Sequence, residues 1–139
     1  MILLDTDHLS IVTNPKAIGH AVLFNRLDKC GEPLGVPVVC VEEQCQGWLA
    51  KIRRSRDVST QIRAYERFVD LFHFFRDWEI VSFDMAAADI LGRLRGQRIR
   101  IGSQDLKISA IALSKGALLL SANLRHFSEG SRPAGGELA

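Results

Sequence analysis

The chain opens MILLDTDHLS (residues 1–10): four apolar residues run into Asp5-Thr6-Asp7 with no Gly or Pro between them. Ile2, Leu3 and Leu4 are apolar at successive positions, so a strand built from them is buried on both faces. That is the pattern of a parallel sheet covered by helices on either side. The acids stand where the strand ends. A carboxylate there either caps the following helix or, held at the end of a rigid strand, grips a metal ion.

The rest of the chain alternates in the same way. A short helix is expected over residues 8–13, stopped by Asn14-Pro15, and another over 16–29 with Ile18, Val22, Leu23 and Leu27 on one side. GVPVVCV (35–41) is rich in β-branched residues and predicts a second strand, whose first half Pro37 leaves incompletely paired. Glu42 and Glu43 then open a helix to Arg54, as acids suit a first turn. A polar break at 56–59 precedes a long amphipathic helix, 60–77, with Ile62, Tyr65, Phe68, Val69, Phe72 and Phe75 near one side. WEIVSF (78–83) predicts a third strand. Asp84 caps a helix over 85–95 with Ala88, Leu91 and Leu94 inward, and a polar connection follows over 98–102. Residues 104–115 form a mostly buried helix closed by Gly116, and ALLLSA (117–122) is a fourth, fully buried strand. The expectation is an α/β fold, a short parallel sheet with helices on both faces, in one domain over 1–139 with a loose Gly-, Ser- and Pro-rich tail from 128.

Composition narrows the functional classes. Hydrophobic residues at 47% and charged residues at 24% exclude a disordered chain. No apolar run reaches the roughly 18 residues a membrane span needs, and Asp5 and Asp7 interrupt any signal-peptide pattern. A cytoplasmic location is the default. Cys30, Cys40 and Cys45 match no common zinc spacing and read as reduced, mostly core thiols. The net charge of +2 is too mild to announce a polyanion partner. Basic residues do gather at Lys51, Arg53, Arg54, Arg56, Arg63 and Arg67, and again at Arg93, Arg95, Arg98, Arg100 and Lys107. Such runs are solvated helix faces or a phosphate-binding surface.

In a parallel sheet, strand C-termini and helix N-termini meet at one edge, where ligands bind. Asp5, Glu42, Glu43, Asp105 and Asn123 all fall on that edge, although they are far apart in sequence. Singly, each acid reads as a cap or a dipole-favoured first-turn residue. Together they repel, and a divalent cation relieves that repulsion; carboxylates that leave room for water suit Mg²⁺ or Mn²⁺. His8 lies nearby and reads as a surface or packing residue, since one His does not make a zinc site.

DTDHLS, VEEQCQGWL, IGSQDLKISAIAL and LLLSANLRHF resemble, in that order and over about residues 1–128, the motifs of the PIN domain, and more narrowly of the VapC-type toxin ribonucleases of bacterial toxin–antitoxin pairs. The resemblance implies an endoribonuclease that hydrolyses RNA phosphodiester bonds with Mg²⁺, or Mn²⁺ as a substitute. Its acids fall on Asp5, on Glu43 (four residues before Gly47) with Glu42 beside it, and on Asp105. A fourth slot, usually acidic, holds Asn123 and His126, weaker ligands that bear on whether a second metal binds. Thr6 is expected to position Asp5 or touch a phosphate. Asp7 reads as the cap of the first helix or as a neighbour of the metal, and Arg53, Arg54, Arg95, Arg98 and Lys107 as backbone contacts to RNA. The resemblance also implies a small antitoxin partner and a homodimer. FHFF (72–75) is the candidate docking face, with internal core as the other reading. The alternative function is a degenerate PIN domain that binds RNA or antitoxin without cleavage; SEGSRPAGGELA (128–139), which does not read as the family's closing strand, Asn123 and His126 point that way.

Overall fold

The computed structural model describes residues 1–121. Asn123, His126 and the tail from 128 lie outside the described residues. Strands β1 (Ile2–Leu4), β2 (Leu34–Pro37), β3 (Glu79–Val81) and β4 (Leu118–Leu120) form one parallel sheet in the order β3-β2-β1-β4. Between them run helices α1 (Thr6–Val12), α2 (His20–Lys29), α3 (Val38–Arg54), α4 (Val58–Phe75), α5 (Met85–Gly96) and α6 (Ser103–Lys115). The expected α/β architecture is what the chain adopts.

Strand β1 is central. Leu3 and Leu4 point to opposite faces, and both are wholly buried, so helices cover the sheet on both sides. The main core gathers around β1 and takes in Leu9, Val36, Val39, Leu71, Phe75, Ile108, Ile111, Leu119 and Leu120. A second, smaller core joins α5 to α6 through Leu91, Leu94, Leu106 and Ala110. Among the described residues, no helix is long and apolar enough to cross a membrane.

Three local expectations are corrected. GVPVVCV is not one strand: β2 ends at Pro37, and Val38 to Val41 begin α3. Pro37 adopts φ −59° and ψ 138°, and Val39 and Cys40 then turn into the core, so burial overrides the β preference of the valines. Its first half is also fully paired, with Leu34 and Gly35 against β1, while Pro37 sits last in the strand, where its missing N–H costs no pairing within the first half. Glu42 and Glu43 therefore lie beyond the first turn of α3.

The helix expected from residue 16 begins at His20. Gly19 holds φ 84°, a left-handed backbone that glycine adopts without penalty and that ends the preceding turns. Leu23 and Leu27, one turn apart, form the buried side; Ile18 and Val22 are exposed.

Helix α4 turns a different side inward than its apolar count suggests. Ala64, Leu71 and Phe75 are buried, whereas Ile62, Tyr65, Val69 and Phe72 are each more than half exposed. FHFF is divided: Phe72 faces out, Phe75 faces the core, and Phe74 stacks on Trp78. Helix α5 buries Ala87 with Leu91 and Leu94, leaving Ala88 half-buried; Asp84 caps it as expected, accepting from the Ala87 N–H at 3.0 Å.

Gly35 is where β2 passes closest to its neighbours. A Cβ there would lie 2.9 Å from Leu3 Cδ2, 3.2 Å from Val81 Cγ2 and 3.3 Å from the Glu79 carbonyl oxygen. Gly35→Ala is expected to destabilise the fold by about 1–3 kcal/mol through overpacking. The urea midpoint of purified wild type and variant measures it; an unchanged midpoint would mean that β1 and β3 yield freely.

Candidate active site

Asp5 is fixed by three ties. Its N–H donates to the Leu120 carbonyl of β4 at 3.0 Å, and its own carbonyl accepts from the Leu9 N–H at 2.8 Å. Its carboxylate Oδ1 accepts from the His8 N–H at 3.1 Å, which makes Asp5 the N-cap of α1. Asp7, expected as that cap, instead lies exposed in the first turn; the capping position belongs to the residue whose backbone is still extended, and Asp5 has ψ 178°. Asp5 is thus both cap and buried carboxylate at the strand end, 6% exposed. Its Oδ1 also meets His8 Nδ1 at 3.0 Å.

Thr6 serves Glu43. Its hydroxyl donates to Glu43 Oε1 at 3.0 Å, bridging α1 to α3. Beneath both lies Cys40, wholly buried and hydrogen-bonded to the Thr6 side chain. Burial pushes the Cys40 thiol far up, the Thr6 contact works against that, and the charges of Glu43, Asp5 and Asp105 push it further; Cys40 is a neutral thiol. Burial likewise raises the Glu43 pKa from its ordinary value. The Thr6 hydroxyl opposes the rise, and Asp105, Glu42 and Asp5 add to it. Carboxylates from the end of β1, from α3 and from the first turn of α6 therefore act on one another at the C-terminal edge of the sheet.

Glu42 stands at the rim, where Gln104 Nε2 donates to its Oε1 at 3.1 Å. Lys107 Nζ donates to Gln104 Oε1 at 3.3 Å, which brings one of the expected basic residues to this edge. Lys115 Nζ reaches Asp84 Oδ2 at 3.5 Å and so ties the end of α6 to the start of α5. Arg95 lies in the last turn of α5 and Arg98 in the connection from α5 to α6. Among the described residues, no three His, Cys, Asp or Glu side chains close into a ready metal-ligand group.

From Glu43 a groove follows α3 between α1 and α4. Gln44, Gly47, Trp48 and Lys51 recur on one face of α3 and line it with Ser10, Thr13 and Arg67. Lys51 Nζ lies 4.2 Å from the Trp48 ring centroid and Arg67 Cζ 5.6 Å from it. The groove continues past Arg54, Arg63 and Asp57. A branch toward Pro15 passes Leu71, Phe74 and Asp70. Arg54 lines this surface; Arg53, one residue earlier in the helix, is exposed and does not.

Sequence reasoning brought Asp5, Glu43 and Asp105 together but missed His8, Gln104 and Trp48. The signal for His8 was its position three residues after the cap, which returns its ring to the capping carboxylate. Nothing in the sequence distinguishes Trp48 from a core aromatic.

Neither a family model nor a curated protein matches the sequence. Solved structures do match in fold. One is VapBC2 from Rickettsia felis bound to a DNA fragment from their promoter, with TM-score 0.76, 19% identity and full coverage of both chains. Another is DNA-bound VapBC from Salmonella typhimurium, with TM-score 0.75, 20% identity and coverage of 99% of this chain and 98% of that one. A third is FitAcB from Neisseria gonorrhoeae, with TM-score 0.71, 21% identity and coverage of 92% and 91%. The PIN-like fold read from the sequence motifs is thereby borne out.

The raised Glu43 pKa carries a sign. The folded protein holds that proton more tightly than the unfolded chain does, so stability from this group is greatest at low pH and is lost as pH rises through the folded value. Glu43→Gln is expected to raise the melting temperature at about pH 7 in EDTA, with the gain shrinking below about pH 4. Thermal unfolding of both proteins across that range measures it; a lower-melting variant at neutral pH would show that the charge is compensated.

Proposed function

We propose that this chain is a VapC-type endoribonuclease, a toxin that hydrolyses RNA phosphodiester bonds with a divalent cation and is held in check by a small antitoxin protein. One observation carries the reading: Glu43, partly desolvated on α3, lies where the charges of Asp105 from α6 and Asp5 from the end of β1 bear on it, at the strand-end edge of a parallel sheet. Such an arrangement lowers stability unless charge arrives from outside. The similarity of fold to chains from VapBC and FitAcB complexes supports the same reading. A toxin of this kind works in the cytoplasm, where RNA is, and as a homodimer.

The donor set fits Mg²⁺ or Mn²⁺. It is made of carboxylates, the oxygen donors that this class of ion takes together with water and substrate oxygens. Asp5 and Asp105 would hold the ion, with Glu43 beside it. When bound, the cation supplies Lewis-acid stabilisation of phosphate charge and acidifies its water.

The chain's own residues do the remainder. Leu120 and Leu9 hold the Asp5 backbone, and His8 holds its carboxylate, so little reorganisation is needed at reaction. Glu43, its Oε1 held by Thr6, accepts the proton of the attacking water at a carboxylate oxygen; a raised pKa makes it the stronger base. Lys107, tied through Gln104 to Glu42, stands by that edge to meet the RNA backbone, and Arg95 and Arg98 are the further basic residues assigned to that role.

A second reading, binding without cleavage, is favoured by the absence of a ready three-donor group among the described residues. The two readings part in one experiment. Purified protein free of antitoxin is expected to cut a single-stranded RNA with Mg²⁺ or Mn²⁺ and not with EDTA. Asp5→Asn and Asp105→Asn are each expected to lower the rate by about a hundredfold or more and to remove the rise in melting temperature that Mg²⁺ gives the wild type. RNA bound but left intact under every metal condition would establish the second reading.

A further inference from the structure

We propose that the groove along α3 is the track on which single-stranded RNA lies as it leaves the acidic edge, with Lys51 and Arg67 holding its phosphates against Trp48. The inference rests on the ribonuclease reading of that edge and extends it to a surface about 16 Å long, the rise of α3 from Glu43 to Arg54.

Three observations converge on it. The groove is continuous with the candidate site, since Glu43 and Lys51 line the same depression. Its charge is opposite to that of the edge it leaves: Lys51, Arg54, Arg63 and Arg67 line it, and the Asp57 carboxylate there is engaged in capping α4, accepting from the Thr60 N–H at 2.7 Å and the Thr60 hydroxyl at 3.0 Å. Its floor is an aromatic ring whose neighbours are cations, with Lys51 Nζ at 4.2 Å and Arg67 Cζ at 5.6 Å from the Trp48 centroid. Trp48 is half-buried, and the cations that cover it are held together beside one aromatic ring, a combination that single-strand binding surfaces use. A double helix is too broad and stiff for a groove that begins among partly buried carboxylates, whereas a single strand bends into it.

The test is binding in EDTA, where cleavage plays no part. A fluorescein-labelled single-stranded oligoribonucleotide is titrated against wild type, the double variant Lys51→Ala with Arg67→Ala, and Lys29→Ala as an exposed control on α2. Losing two phosphate contacts is expected to make the slope of log K against log salt shallower by about 1.4, from about 0.7 per contact for a single strand, while the control keeps the wild-type slope. A second readout needs no altered cation: in Trp78→Phe protein, Trp48 is the remaining tryptophan, and its emission is expected to be quenched as RNA is added. A wild-type slope in the double variant, or Trp48 emission that RNA leaves unchanged, overturns the track; if RNA is still cut with Mg²⁺, the ribonuclease reading stands without it. RNA neither bound nor cut by wild type overturns both. An oligoglutamate peptide that quenches Trp48 where RNA does not also overturns the proposal and assigns the groove to an acidic protein segment.

Discussion

The pairing of β1 between β2 and β4 is the constraint on which the rest of the molecule depends. Because all three strands run parallel, every strand end and the helix starts that follow must gather at one edge. Asp5 is where that constraint becomes chemistry. Its backbone closes the register with Leu120, its carbonyl starts α1, and its carboxylate caps the same helix while facing the acids of α3 and α6. Removing its carboxylate would strip the helix cap and alter the site together, while the backbone bonds to Leu120 and Leu9 remain.

The edge is electrostatically costly. Glu43 is held partly out of water among Asp105, Glu42 and Asp5, and Cys40 beneath it is kept neutral by the same burial and the same charges. Thr6 is the local compensation, a hydroxyl that supports the ionised form of Glu43. A bound positive charge would relieve that repulsion, which is the physical basis of the divalent-cation reading proposed above.

Charge is also divided along α3. Its early turns carry Glu42 and Glu43, and its later turns carry Lys51, Arg53 and Arg54, so one helix spans from the acidic edge to a basic surface. This order suits the helix dipole at the C-terminal end, where cations are favoured. It also places a basic surface beside an acidic one, the charge division on which the proposed RNA track rests.

The sequence by itself determined the alternation of strands and helices, the parallel sheet, and the meeting of Asp5, Glu43 and Asp105. These follow from short-range periodicity and from the geometry any parallel sheet imposes. Asp84 and Gly116 were equally legible, because caps act within one turn. Only the tertiary structure decided the rest. Whether VVCV is strand or helix turned on which residues the core would accept. Which side of α4 faces inward turned on how closely α3 approaches, and small Ala64 won over Tyr65 and Phe72. Asp5 rather than Asp7 became the cap because the β4 pairing holds Asp5 extended. Each of these depends on contacts between segments far apart in the chain, where local pattern carries no information about which partner will be there.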